Sequence, residues 1–120
     1  MNEQAPVESR QLSDVSVPLI LPNLGIPLMY LGRLDEALRL QRLHLFLGRQ
    51  NGLEYHVAQA LGHIGAVRNR MGDAQQAIRL INASLALKRR IGIRLGVVES
   101  INDLANAHRQ LGHLAEAEQL

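Results

Sequence analysis

The sequence predicts an all-α fold of stacked helix pairs, about two and a half helix-turn-helix repeats long, on three observations. The apolar share of 47% is almost wholly aliphatic: 22 of the 120 residues are Leu, against two Tyr, one Phe and no Trp. Leu, Ala, Arg, Gln and Glu favour helix, whereas the β-branched and aromatic residues that strands lean on are scarce. A segment also recurs at a constant stride of 40 residues, as LGRLDEALRL from Leu31, MGDAQQAIRL from Met71 and LGHLAEAEQL from Leu111. Self-similarity at such a period marks a repeat architecture. Glycine recurs with it, at Gly32, Gly72 and Gly112 within the units and at Gly52 and Gly92 between them. There it suits a left-handed helix cap, in which a Cβ would clash.

Taken in order, residues 1–13 are polar and aperiodic and contain Pro6, which reads as a disordered tail. The repeat domain then covers 14–120, with units of about 14–52, 53–92 and 93–120, the first degenerate and the last truncated. Pro18, Pro22 and Pro27 fall inside the first helix of the first unit. Each interior proline removes a hydrogen bond, so this helix is expected to be broken, with a short remnant from about Pro22 or Asn23. The second helix of each unit carries a small residue at a fixed place, Ala37, Ala77 or Ala117, beside larger residues such as Leu40 and Leu80. Small residues let two helix axes approach closely. In the third unit Val97, Ile101, Leu104, His108 and Leu111 form one helical stripe, with His108 expected to pack in the core. Glu99, Asn102, Asn106 and Arg109 fall on the other side of the same cylinder. The last unit reaches only a few residues past Gly112, so its apolar stripe is expected to be partly uncovered. A reading frame cut short explains that, and so does a homodimer in which a second copy of the chain covers the stripe.

The leucine, glycine, leucine-glycine and alanine pattern is clearest in LPNLGIPLMYLGRLDEALRL, from Leu21 to Leu40. In these residues the chain resembles the tetratricopeptide repeat family, in a longer form of about 40 residues per unit. It departs from the family at the place of a customary aromatic, where Leu28, Arg68 and His108 stand. The resemblance implies a right-handed α–α superhelix, a solenoid whose first helices line a concave groove that binds a peptide or a helix without catalysis. By resemblance, the groove positions are Gln59, Gly62, His63, Ala66, Asn69 and Arg70 in the second unit. In the third they are Glu99, Asn102, Asp103, Asn106, Arg109 and Gln110, and Asn23 takes one place in the first. An amide side chain offers both a donor and an acceptor to a peptide backbone, each bond contributing about 0.5–1.5 kcal/mol. Arg70 and Arg109 add charge-assisted partners for an acidic group. The family's lysine clamp for carboxylate tails is not reproduced.

Other function classes find little to hold. With no Cys there is no disulfide framework, thiolate metal site or thiol nucleophile. His44, His56, His63, His108 and His113 lack paired zinc-ligand spacing, and Ser84 and Ser100 lack a neighbouring base. No cofactor is expected. The start MNEQAPVESR has no signal-peptide character and no apolar run spans a membrane, so a cytoplasmic location is expected. Residues 37–94 hold ten Arg or Lys against Glu54 and Asp73, densest at Lys88, Arg89 and Arg90, with Arg94 following. Cations at the negative end of a helix dipole explain the cluster better than nucleic acid, for which stacking aromatics are missing. Two alternatives to a free-standing interaction module remain: a regulatory piece of a bacterial transcription regulator or signalling ATPase, and direct nucleic-acid binding by the basic stretch.

Overall fold

A computed structural model describes residues 25–119. Five helices follow one another: α1 over 25–30, α2 over Leu34–Gln50, α3 over Glu54–Arg70, α4 over Ala74–Ile91 and α5 over Leu95–Gln119. No strand occurs among the described residues. The tail at 1–13, Pro18, Pro22 and Asn23 lie outside them. Pro27 sits within α1, and its carbonyl accepts from the Leu31 N–H at 3.0 Å.

The corners are set by glycine. Gly32, Gly52, Gly72 and Gly92 all have positive φ, between 66° and 90°, and no other described residue does. At each corner the chain leaves one helix and enters the next antiparallel to it, because the left-handed residue turns the backbone while its neighbours satisfy the last helical carbonyls. α4 also starts on a side-chain cap that α2 and α3 lack: the Asp73 carboxylate accepts from the Gln76 N–H at 3.2 Å. Asp73→Ala is therefore expected to lower the unfolding free energy by about 1 kcal/mol, read as a shift of the urea midpoint at constant slope. An unchanged midpoint would remove this cap from the account.

Consecutive helices pack on each other, and α3 also touches α5. Ala37 and Ala77, the small residues of the second helices, are fully buried. The glycines of the first helices face them: a Cβ built on Gly65 would lie 2.6 Å from Ile81 Cγ1, and one on Gly25 would collide with the Gln41 amide. Met29, Ala37, Leu38, Ile64 and Val67 join α1, α2 and α3, while Ala77, Ile81 and Ala107 join α4 to α5. A polar seam crosses this aliphatic core where α2 meets α3. His44 and His56 are buried there, with His44 Nε2 3.1 Å from His56 Nδ1. One ring must donate and the other accept, so the contact needs a neutral acceptor ring.

Two expectations for the third unit are corrected. Gly112 does not turn the chain, since α5 runs unbroken through it to Gln119. Continuing in line keeps the backbone of 113–119 bonded within α5. A glycine inside a helix costs only about 1 kcal/mol relative to alanine. The register of α5 also differs from the apolar pattern. Ser100 and Ala107 are buried against α4 and Leu104 of the expected stripe packs beside Ala107, while His108 is exposed and Ile101 is 46% exposed. The small side chains of Ser100 and Ala107 allow the close approach to α4, and the packed face is turned toward them.

Candidate binding groove

On α3, Tyr55, Gln59, His63, Ala66 and Arg70 recur at spacings of four, four, three and four, which places them on one stripe. Across from it, Glu99, Asp103, Asn106 and Gln110 recur on α5 at four, three and four. The two stripes border a trough between α3 and α5, with α4 behind. Tyr30 extends the first stripe onto α1, where the Arg70 guanidinium sits 4.8 Å above its ring. Both tyrosines of the described residues are thus on this side of the molecule, and both are exposed.

At one end the trough deepens into a cavity of about 430 Å³, lined by Tyr55, Gln59 and His63 from α3, Lys88 from α4, the Gly92–Arg94 corner, and Gly96 and Glu99 from α5. Lys88 is its charged wall. The side chain is only 7% exposed, and Nζ donates to the Gly96 carbonyl at 3.1 Å and to Ser100 Oγ at 2.9 Å. Burial lowers its pKa from the ordinary lysine value, opposed by the charges of Glu99 and Asp103. Burial pushes the Asp103 carboxyl up, and Glu99 adds to this, while Lys88 and Arg70 act the other way. His63 is lowered to about 4 by burial and then by Lys88, so it is neutral at pH 7.

The Lys88 seat has a local cause in the repeat. One stride earlier stand Gly48 in place of Lys88 and His56 in place of Gly96. A Cβ on Gly48 would rest 3.4 Å from His56 Cβ, and one on Gly96 would press to 2.8 Å from Lys88 Cε. Small against large in one interface has become large against small in the next, which draws the lysine inward. Its neighbours Arg89 and Arg90 stay exposed in the last turn of α4, where cations suit the dipole, and Arg90 pairs with Glu54.

The residues singled out from sequence fall into three groups. Gln59, His63 and Glu99 meet at the cavity, with Asn102 beside Glu99 on a shallower depression that also holds Arg94 and Val98. Asn69 and Gln110 are half-buried, and Asn69 Oδ1, Gln110 Oε1 and His63 Nδ1 are buried without a hydrogen-bond partner. Asn106 and Arg109 are exposed and bonded to each other, Nη1 to Oδ1 at 2.8 Å, and Arg70 is exposed against Tyr30. Gly62 is corrected: it faces α4, where a Cβ would lie 3.0 Å from Ser84 Oγ. Lys88, Tyr55 and the Gly92–Arg94 corner were not singled out for the groove from sequence. Tyr55 was legible as the residue one turn before Gln59.

A comparison with family profiles matches the tetratricopeptide repeat over residues 56–120, which cover α3 from its third residue, α4 and α5. The chain belongs to the tetratricopeptide repeat family. Its described helices and their sequential packing agree with an all-α tetratricopeptide repeat. Such repeats are protein–protein interaction scaffolds and are generally not enzymes. A search of the curated proteins finds no match to the chain. No helix among the described residues is long and apolar enough to cross a membrane.

Proposed function

We propose that this tetratricopeptide repeat chain is a non-enzymatic interaction module that holds an extended peptide or a partner helix in the trough between α3 and α5. The observation that carries the reading is the pair of polar stripes, Tyr55, Gln59 and Arg70 on one side and Glu99 and Asn106 on the other, which border a trough that deepens into a cavity of about 430 Å³. A peptide backbone presents an N–H and a C=O at every residue, which accessible amide, hydroxyl and charged side chains of the two stripes can pair with. Each bond adds only about 0.5–1.5 kcal/mol, so a single trough of this length binds weakly and depends on more than one contact.

The test is affinity capture with the intact chain and with a chain carrying Arg70→Glu and Asn106→Ala, two exposed trough positions. The altered chain is expected to keep its helical circular dichroism and to lose at least tenfold in recovery of the partners held by the parent. Equal recovery of the same partners would falsify the trough as the binding face.

A further inference from the structure

We infer that the outer face of α5, turned away from α4, is the interface of a homodimer in which α5 of a second copy of this chain packs antiparallel across it. Arg94, Val98, Ile101, Ala105, His108 and Gly112 recur at spacings of four, three, four, three and four, and every one of them is exposed. That is a stripe of period 3.5, the pattern of a helix seam that meets a helical neighbour. Its middle is apolar or small, with Val98 64% and Ile101 46% exposed. One stride earlier the same positions are covered. Ala58 and Gly65 of α3 are buried, the Ala58 carbonyl accepts from Ser84 Oγ of α4 at 2.6 Å, and a Cβ on Gly65 would meet Ile81. The face on α5 therefore has the make-up of a packed one, and no helix of the described residues lies on it.

A second copy fits because the stripe is complementary to itself when reversed. It begins at Arg94, and its next position beyond Gly112 is Glu116, so the two charges lie equally far on either side of Ala105. A two-fold axis at Ala105 sets Arg94 against the partner's Glu116 and Val98 against the partner's Gly112, with a small side chain at the crossing, where it lets the axes approach. Gly112 is open to receive it, with nothing within 4 Å of a Cβ built there. A parallel pair would instead set Arg94 on Arg94. Each charge also stands at the end of α5 that the helix dipole disfavours, the cation before the first turn and the acid in the last. Antiparallel pairing brings each beside the end of the partner helix that favours it. Arg94 forms no ion pair among the described residues. The face lies on the other side of α5 from Asp103 and Gln110, so both troughs stay open and the inference is independent of the trough reading.

One helix pair is a small interface, so the association is expected to be weak and concentration-dependent. Sedimentation equilibrium of the full chain, from low micromolar to millimolar concentration, is expected to show a monomer passing to a dimer and to nothing larger, since a two-fold interface closes on itself. Val98→Glu is expected to weaken dimerisation at least tenfold with unchanged helical circular dichroism, because the position is exposed in the single chain. Arg94→Glu and Glu116→Arg are each expected to weaken it several-fold. An equimolar mixture of those two variants is expected to dimerise as tightly as the parent, because every charge then meets its opposite. A monomer at every concentration overturns the inference, and so does a dimer that Val98→Glu leaves intact. A mixture no tighter than the single variants overturns the antiparallel pairing. A monomer in which the Val98 and Ile101 methyl protons show NMR contacts to residues 1–24 overturns it too, and assigns the face to the chain's own N-terminal segment.

Discussion

Ile81→Ala is expected to lower the unfolding free energy by about 2–5 kcal/mol, toward the upper end of that range, as read by urea denaturation. Ile81 is fully buried, and Gly65 lies directly opposite with no side chain to move into the space left behind. Ala77 and Ala107 flank it and are equally unable to fill a void. Only a closer approach of α3 and α4 removes the cavity, and Gly65 already sets that distance. Since small domains are stable by about 5–15 kcal/mol in total, the variant is left with a markedly reduced margin. Ile101→Ala is the informative contrast, because the apolar pattern of the sequence places Ile101 in the core and the structure leaves it 46% exposed. Its expected cost is below about 1 kcal/mol. A cost equal to that of Ile81→Ala would mean that α5 is rotated and that Glu99, Asp103 and Gln110 do not border the trough.

Acid is expected to destabilise the fold between pH 6.5 and about 4. His44 is lowered to about 4 by burial, then by the charges of His56 and His63, and His63 is lowered to about 4 by burial and by Lys88. Burial lowers His56 in the same direction. In this window the unfolded chain, with histidines near 6.5, binds more protons than the folded one, so stability falls as pH falls. Each histidine contributes a slope of up to about 1.4 kcal/mol per pH unit while its unfolded form is protonated and its folded form is not. Charging His44 and His56 together also breaks their mutual hydrogen bond, since two imidazolium rings are both donors. Asp103 acts oppositely, because its raised pKa favours the folded form as acid protonates it, but one carboxyl does not offset three imidazoles. Denaturation at pH 7 and pH 5 tests the slope, and His44→Leu is expected to flatten it. Ring-proton NMR titration decides the matter: midpoints near 6.5 for His44 and His63 would overturn the account.

Much of the architecture was legible because it is written in glycine and in the stride. Gly32, Gly52, Gly72 and Gly92 mark corners in sequence and adopt positive φ in the structure. Ala37 and Ala77 were legible as contact points because the same position is small in each unit. The register of α5 was not, for a physical reason. The stripe read from periodicity counts Ile101 and His108 and passes over Gly96, Ser100 and Ala107, yet close packing selects these small residues alongside Leu104. Gly112 looked like the other corner glycines, but a glycine permits a turn without requiring one. At the groove, the amide and charged positions of α3 and α5 were readable from spacing and resemblance. Lys88 was hidden, since at the end of α4 a basic residue has an ordinary explanation. Only comparison across the stride, Gly48 with Lys88 and His56 with Gly96, separates it from Arg89 and Arg90.

The order of helix contacts has a mechanical consequence. Among the described residues each helix leans on its neighbours in the chain, and contacts across a skipped position join α1 to α3 at Met29 and Tyr30 and α3 to α5. A stack built this way is held by adjoining pairs, so its bend is soft wherever non-adjacent rods fail to brace one another. A partner seated between α3 and α5, as proposed, would brace that span and so fix the curvature of the stack.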